Sequence, residues 1–287
     1  MDMVLFARSN TSAMSEADIV IIGVPDESKS HAKRKGTRNG PDVLRMASHE
    51  SEFFERADNR IPILPMRGTF DGKRIHDLGN VDRADLCDLV SKVISNKKLP
   101  IIIGGDHSVT TEALRAASRE FGKVGLVYFD AHPDFVSSTK DYYGSVLSDS
   151  RHSLDFKKSL LIGTRAAEPE ELENARKAGL KVVTPVDIAE KGVLQVSRHI
   201  KSRTRGIRKY ISIDLDCLDP SFAPGVSVPS ACGLGSVELV YLVKEVISTG
   251  MIAGIDIVEL SPDFDIGGIT AHLAAKILSE CIASVNL

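Results

Sequence analysis

The chain has 287 residues, 43% of them hydrophobic and 26% charged, which is the composition of an ordinary globular protein. Its formal net charge of −3, with Lys and Arg scattered along the sequence, gives no electrostatic basis for nucleic-acid binding. No apolar run approaches the ~18 residues of a membrane span, the N-terminus lacks a signal-peptide pattern, and the four cysteines form no CxxC pair. We therefore expect a cytoplasmic protein with reduced thiols that binds neither nucleic acid nor membranes.

Short apolar runs alternate with amphipathic segments along most of the chain, and this alternation predicts strands followed by helices. Strands are predicted over residues 18–24, 99–103, 124–130, 159–163, 181–184, 209–215 and 252–258. One helix is predicted to start at Gly40-Pro41, and Phe53 and Phe54 extend its apolar face. Further helices are predicted over residues 84–96, 108–121, 169–177, 186–202, 237–248 and 269–285. Residues 60–80, with room for a short strand, and the Pro/Gly-rich segment 219–235 are predicted connections. We expect one α/β domain over residues 1–287, with a mainly parallel sheet between layers of helices.

The most informative stretch is the buried strand that begins at Val124 and the polar residues that follow it. Asp130, His132 and Asp134 occupy alternate positions, and such residues of an extended segment point to the same side. Carboxylates placed so close together repel each other unless a cation lies between them. The stretch therefore predicts a metal site where the strand emerges.

Three other predicted strands also end in polar side chains. One runs into Gly-Gly-Asp-His-Ser and presents His107, the next carries Asp214 and Asp216, and the last is followed by Glu259. Ligands of parallel α/β sheets lie at the carboxyl ends of the strands. We therefore expect all of these side chains to form one site.

The combined set of four aspartates and two histidines indicates the metal and the reaction class. Oxygen-rich ligand sets favour Mn²⁺ or Mg²⁺, and two imidazoles shift the preference toward Mn²⁺. Six ligands are too many for one ion that keeps an open position, whereas two ions ~3.5–4 Å apart, bridged by carboxylates, fit the set. Such a pair activates a solvent molecule, so we expect a hydrolase.

Three motifs resemble the signatures of the ureohydrolases, the arginase/agmatinase family. They are Gly104-Gly-Asp-His-Ser108, Asp130-Ala-His-Pro-Asp134 and Ser212-Ile-Asp-Leu-Asp-Cys-Leu-Asp-Pro220, and the similarity extends from Gly23-Val-Pro25 to Asp256-Ile-Val-Glu-Leu260. The resemblance implies a three-layer α/β/α fold and a centre of two Mn²⁺ per subunit that cleaves urea from a guanidino group. It also implies a homo-oligomer, either a trimer or a hexamer.

The resemblance further implies roles for individual residues. The ligands implied for one ion are His107, Asp130, Asp134 and Asp214. Those implied for the other are Asp130, His132, Asp214 and Asp216, so that Asp130 and Asp214 bridge. Glu259 matches the family carboxylate that binds the guanidinium, for which paired N–H donors are the natural partners.

The segment that begins at Asp141 resembles the agmatinase loop, whose pattern ends in Ser-His, but Asp149 occupies the position of the expected proton-shuttle histidine. An Asp, with a reference pKa of ~3.9, is a poor general acid at neutral pH. Two alternatives follow. His152 takes over the shuttle, because it would share a helical face with Asp149, or Asp149 binds the cationic tail of an amine substrate.

Three hypotheses about the function stay open at this stage. We expect a small guanidino or amidino substrate, with agmatine, cleaved to putrescine and urea, as the first candidate and with Asp149 or Asp141 meeting its ammonium. Formiminoglutamate or another guanidino acid is the second, because the Pro224–Pro229 segment leans toward the formiminoglutamase pattern and the basic segment Lys33–Arg38 would suit a carboxylate. The third is a non-catalytic metal-binding paralogue, which the complete ligand set argues against.

Overall fold

The computed structural model describes residues 4–286, and this range contains ten strands and nine α-helices. The strands are β1 (Ile19–Val24), β2 (Phe53–Arg56), β3 (Asn59–Pro62), β4 (Ile75–Asn80), β5 (Leu99–Gly104), β6 (Gly125–Phe129), β7 (Leu160–Ile162), β8 (Lys181–Val183), β9 (Lys209–Asp214) and β10 (Ile252–Val258). The helices are α1 (Gly40–Ser51), α2 (Arg83–Ser95), α3 (Val109–Phe121), α4 (Val146–Asp149), α5 (Pro169–Ala178), α6 (Pro185–Lys191), α7 (Val193–Arg203), α8 (Ser236–Ile247) and α9 (Ile269–Ser284). Over residues 4–286, no helix combines the length and the apolarity that a membrane crossing requires.

Eight strands form one sheet in the order β4-β1-β5-β10-β9-β6-β7-β8, and all of its neighbouring strands pair in parallel. Apolar residues of each strand point alternately to two separate cores. Helices α1, α6, α7, α8 and α9 pack on one face, and α2, α3, α4 and α5 pack on the other. The fold is therefore the three-layer α/β/α arrangement, which confirms the predicted fold class.

The sheet order explains why distant motifs share one site. The four strands predicted to end in polar side chains, β5, β10, β9 and β6, are consecutive neighbours at the centre of the sheet. Asp214 pairs with Val258 in the register of β9 and β10, and its neighbour Ile213 pairs with Phe129 at the end of β6. The carboxyl ends of all four strands therefore meet at one edge.

Two predicted helix boundaries were wrong. Phe53 and Phe54 do not extend α1, because they form β2 of an antiparallel hairpin with β3. The guanidinium groups of Arg8 and Arg60 lie 4.8 and 4.0 Å from the centre of the Phe53 ring and hold it there by cation–π attraction. The helix predicted over residues 186–202 is divided into α6 and α7 at Gly192, whose φ of +79° breaks the helical path.

A fully buried ion pair fastens α1 to the edge strand β4. Arg45, with no exposed side-chain surface, donates from Nε and Nη2 to the two carboxylate oxygens of Asp77, both at 2.8 Å. It also donates to the side chain of Asn80 (2.6 Å) and the carbonyl of Gly79 (3.0 Å). Gly23 admits these groups, since a Cβ there would lie 2.6 Å from Arg45 Nη1. The packing of α1 on the sheet depends on this arginine.

We predict that Arg45→Met lowers the free energy of unfolding by about 3–5 kcal/mol, because it leaves the Asp77 carboxylate buried without its partner. Methionine keeps a similar helix propensity, so the loss reports the ion pair. Denaturant unfolding measures it. Arg176→Met is the matched control, because the pair of Arg176 with Glu173 is exposed. Equal losses in the two variants would contradict this account.

Candidate metal centre

Two residues at the site have backbone conformations that side chains rarely adopt. Asp134 and Glu259 have φ values of +48° and +66°, in the left-handed region. Such strain persists only where the surrounding structure enforces it, and it concentrates at functional sites. Close packing enforces the adjacent turn as well, since a Cβ on Gly105 would lie 2.0 Å from the carbonyl oxygen of Asp26. The loops after β5, β6 and β10 are therefore fixed by packing.

His107 stands at the centre of the first group of ligands. Its Nδ1 lies 2.9 Å from Asp130 Oδ2, 3.0 Å from Asp214 Oδ2 and 3.2 Å from Asp134 Oδ2. One nitrogen surrounded by three carboxylate oxygens cannot satisfy all of them with a single N–H. A cation in their midst would serve all four atoms.

His132 forms the centre of a second group that shares Asp130. Its Nδ1 lies 3.0 Å from Asp216 Oδ2 and 3.5 Å from Asp130 Oδ1. Asp130 thus turns one oxygen toward each histidine. The backbone N–H of Asp216 donates to Asp214 Oδ1 at 2.7 Å and leaves Oδ2 of Asp214 to face His107. The structure brings all six predicted ligands together in two overlapping groups.

The electrostatics of these groups suit bound cations. Burial, together with the nearby carboxylates of Asp134 and Asp216, raises the pKa of Asp130 to about 6. Although burial lowers the pKa of His132, the carboxylates of Asp216 and Asp130 raise it far above its usual range. Asp130 Oδ2 is buried and receives no hydrogen bond from the described residues. Protons on Asp130 and His132 thus supply positive charge that bound cations would otherwise supply. The residues therefore fit two divalent cations.

Glu259 lies next to the ligands at the end of β10. Its Oε1 accepts the backbone N–H of His107 at 2.9 Å, which connects Glu259 to the loop after β5. Its Oε2 is buried and has no hydrogen-bond partner within residues 4–286. Burial and the Asp106 carboxylate raise the pKa of Glu259 to about 8. A buried oxygen without a donor is suited to a ligand N–H.

A cleft of about 460 Å³ opens onto the metal-type ligands. His132 and Asp134 form its floor, while Tyr142, Tyr143 and Glu168 contribute to its walls. The remaining lining residues are Val136, Gly144, Arg165, Ala166, Ala167, Glu171 and Val228. Three carboxylates against one guanidinium leave the lining acidic overall.

Arg165, the cation of this lining, is already occupied by backbone carbonyls. Its Nη2 donates to the carbonyl oxygens of Asp216 (2.9 Å), Leu218 (3.1 Å) and Ser230 (2.5 Å), and its Nε donates to Ala231 (2.8 Å). The arginine therefore fastens the predicted loop 219–235 to the end of β9. Its N–H groups are committed to this loop, as the two carboxylate oxygens of Glu171 are to the backbone N–H groups of Phe135 and Glu168, which leaves Glu168 as the open carboxylate of the wall.

Asp149 and His152 have surroundings that differ from those expected. The Asp149 carboxylate accepts the backbone N–H of Asp141 (2.9 Å) and the hydroxyl of Ser145 (2.5 Å), and so closes the loop 141–145. His152 is exposed. Neither is among the described residues that line the cleft. That loop presents Tyr143 there instead, and the roles predicted for Asp149 and His152 stay predictions.

Sequence reasoning missed Tyr142, Tyr143, Arg165, Glu168 and Glu171. The strand-end rule carried the signal for the last three, because they follow the predicted strand 159–163. The Glu-Pro-Glu-Glu sequence, however, is typical of a helix start, and Glu168 and Glu171 do form a capping box there. One segment thus serves as a helix cap and as a wall of the cleft.

Fold and site together define a parallel α/β protein with a cluster of carboxylate and imidazole side chains that could hold metal ions. Residues 17–284 match the family model described as the arginase family. The agmatinase of Neisseria meningitidis serogroup C is 32% identical over 283 residues, which cover 93% of this chain and 87% of that protein. The mitochondrial guanidino acid hydrolase of Rattus norvegicus is 30% identical over 284 residues, which cover 93% and 78%.

A solved structure agrees with these relatives. The proclavaminate amidinohydrolase of Streptomyces clavuligerus superimposes with a TM-score of 0.86 at 29% identity, over 99% of this chain and 97% of that one. The chain belongs to the arginase family and is an amidinohydrolase that resembles agmatinases. The predicted family and enzyme class are confirmed.

We predict that the rise in melting temperature caused by Mn²⁺ is larger at about pH 8 than at about pH 5. In the metal-free protein the raised pKa of Asp130, about 6, means that the folded state holds a proton that the unfolded chain releases near 3.8. The stability from that proton is present at acid pH and is lost as the pH rises through about 6. Cations compete with this proton, so their effect grows with pH.

Thermal unfolding with and without Mn²⁺ at the two pH values measures this difference. Asp187→Asn is a control, because Asp187 caps α6 through Thr184 outside the metal-type groups and its loss should leave the metal-dependent shift unchanged. An identical Mn²⁺ shift at both pH values would show that protons and metal do not compete.

Proposed function

We propose that the protein hydrolyses agmatine to urea and putrescine with two Mn²⁺ bound per subunit. The observation that carries this proposal is the acidic cleft, with Glu168 and Glu171 in its wall and two of the six metal-type ligands, His132 and Asp134, at its floor. Agmatine carries positive charge at both ends, and a site with carboxylates at both ends complements it. The similarity to agmatinases supports the same choice.

The contacts above support each proposed ligand except Asp214 at the second ion, where its role comes from the family resemblance. The residues that would hold one ion are His107, Asp130, Asp134 and Asp214, and those that would hold the other are Asp130, His132, Asp214 and Asp216. Asp130 would bridge, since its two oxygens face different histidines. Bound Mn²⁺ ions would supply an activated water molecule and Lewis-acid polarisation of the guanidino group.

Glu259 would orient the substrate relative to this centre. Its unpartnered Oε2 can accept an N–H of the planar guanidinium while Oε1 stays bound to the backbone of His107. The cationic guanidinium would favour the ionised carboxylate, against the burial that raises the pKa of Glu259. Fixing the guanidinium plane in this way supplies proximity and orientation for attack at its central carbon.

The far end of the substrate would meet Glu168, and Glu171, whose two oxygens accept the backbone N–H groups of Phe135 and Glu168, would add negative charge behind it. Burial raises the pKa of Glu171 to about 7, and an arriving ammonium would favour its charged form. The two arginines of the basic segment Lys33–Arg38 offer little to an acidic substrate, because both have other partners. Arg34 stacks on Phe264 at 4.3 Å, and Arg38 pairs with Glu27 at 3.5 Å.

Tyr143 would donate a hydrogen bond to the substrate from the side of the cleft. It is half-buried, and burial together with the carboxylates of Asp134 and Glu259 raises its pKa, so the phenol stays protonated at neutral pH. Asp149 would act indirectly, since it closes the loop that carries this tyrosine. A phenol with a raised pKa is a poor general acid, so we assign it positioning rather than proton transfer.

The first experiment measures urea release by the Mn²⁺-loaded enzyme from agmatine, arginine and 4-guanidinobutanoate, with formamide release from formiminoglutamate in parallel. We expect agmatine to be the preferred substrate. We also predict that Glu168→Gln lowers kcat/KM for agmatine about tenfold, or ~1.4 kcal/mol, without lowering it for 4-guanidinobutanoate, whose tail is anionic. Glutamine keeps the capping capacity of this position.

Glu170→Gln is the matched control, because Glu170 lies on the same helix but binds Ser137 and Ser138 instead of lining the cleft. A preference for 4-guanidinobutanoate or formiminoglutamate would overturn the agmatine assignment and leave the amidinohydrolase class intact. Loss of activity on every substrate, with two Mn²⁺ bound, would favour the non-catalytic paralogue.

We predict that Tyr143→Phe lowers kcat/KM about three- to tenfold, the range of a single lost hydrogen bond. His152→Ala should leave kcat/KM unchanged, because His152 is exposed and outside the cleft. Steady-state kinetics of both variants measure this. The reverse result, with a loss in His152→Ala alone, would return the shuttle role to His152.

A further inference from the structure

The second ring nitrogen of His107 begins a buried chain of hydrogen bonds. Its Nε2 lies 2.9 Å from Ser212 Oγ, and that hydroxyl donates to Asp256 Oδ1 at 2.6 Å. Ser212 lies on β9 and Asp256 is directly opposite on β10. Both side chains are fully buried. The chain thus leads from a proposed metal ligand into the middle of the sheet.

Asp256 is unusual because it is a fully buried carboxylate served only by hydroxyl groups. Besides Ser212, the phenol of Tyr210 and the hydroxyl of Thr110 both donate to its Oδ2, each at 2.9 Å. Within residues 4–286, no Lys or Arg forms an ion pair with it. Burying a carboxylate without a cation is costly. If this position served packing alone, an apolar residue would be more stable there.

The direction of the hydrogen bonds follows from the number of protons. An ionised carboxylate only accepts, so Ser212 spends its single proton on Asp256. The serine oxygen must then accept from His107, which places the imidazole proton on Nε2. In the neutral ring that metal binding requires, Nδ1 keeps its lone pair, and this is the atom that faces the carboxylates of Asp130, Asp134 and Asp214.

The plane of the same imidazole is fixed by Tyr128. The two rings are stacked with centroids 4.6 Å apart and an interplanar angle of 6°. The Tyr128 hydroxyl donates to Asp134 Oδ2 at 2.6 Å. Stacking restrains the tilt of the ring, whereas the hydrogen bond to Ser212 sets its rotation about χ2 and its tautomer.

We propose that Ser212 and Asp256 are positioning residues, which hold His107 in the Nε2–H tautomer so that Nδ1 can bind one of the two ions. This inference rests on the proposed metal centre. Outer partners of this kind typically contribute 10- to 100-fold to metal affinity. The side chains of Tyr210 and Thr110 bind the other oxygen of Asp256 and form no hydrogen bond with the His107 ring, so the side-chain route from Asp256 to the ring runs through Ser212.

Metal titration of the metal-free protein tests the proposal, with Mn²⁺ binding followed by calorimetry and by electron paramagnetic resonance. We predict that Ser212→Ala weakens one of the two Mn²⁺ sites by about 10- to 100-fold and leaves the other near its original affinity. Thr110→Val is the matched control, because it removes a hydroxyl from the same carboxylate and keeps the backbone N–H that Thr110 donates to the carbonyl of His107. It should retain both affinities, whatever its effect on melting temperature.

Three outcomes separate the possibilities. Two unchanged sites in Ser212→Ala would overturn the positioning role while leaving the metal centre intact. Equal losses in Ser212→Ala and Thr110→Val would mean that Asp256 acts only through packing, which also overturns it. Failure of the unaltered protein to bind Mn²⁺ would instead refute the metal centre, and this proposal with it.

Discussion

The structure depends on confining several carboxylates at one buried point. Two like charges ~4 Å apart repel by about 4 kcal/mol at an effective dielectric constant near 20, which is comparable to a large part of a domain's net stability. The ligand loops reach this arrangement through left-handed backbone at Asp134 and Glu259, a further cost. The metal-free site can meet these costs only by taking up protons, as the raised pKa of Asp130 indicates. Folding has therefore assembled a site whose charges bound cations could balance.

The central position of the site in the sheet makes this confinement feasible. Strands β5, β10, β9 and β6 are flanked by further strands and covered by helices on both faces, so the loops beyond them rest on a rigid base. Parallel strands bring their carboxyl ends to a common edge whatever their separation in sequence. Ligands separated by more than 80 positions, such as Asp130 and Asp216, therefore need no local scaffold of their own. The same sheet carries Asp256 directly beneath the ligands, where a hydroxyl chain can reach His107.

The sequence predicted which carboxylates and imidazoles come together, because each member of the set is encoded locally. Alternation along an extended segment placed Asp130 and His132 on one side, and the strand-end rule joined them to the other motifs. The walls of the cleft could not be predicted in this way. Whether Asp149 or Tyr143 faces the ligands depends on how the loop 141–145 folds, and that is decided by tertiary contacts such as Tyr143 N–H donating to the carbonyl of Lys29. Sequence spacing carries no information on such a contact.

Substrate choice within this family would then depend on the walls rather than on the ligands. The metal-type groups impose the reaction at a guanidino carbon, but they do not reach the far end of a substrate. There, the committed charge of Arg165 and the carboxylates of Glu168 and Glu171 make the cleft acidic. An anionic tail would have to be desolvated beside like charges, which costs several kcal/mol, whereas an ammonium meets opposite ones. Discrimination between substrate classes can therefore come as much from repulsion as from attraction, because both tails connect to the same guanidino group.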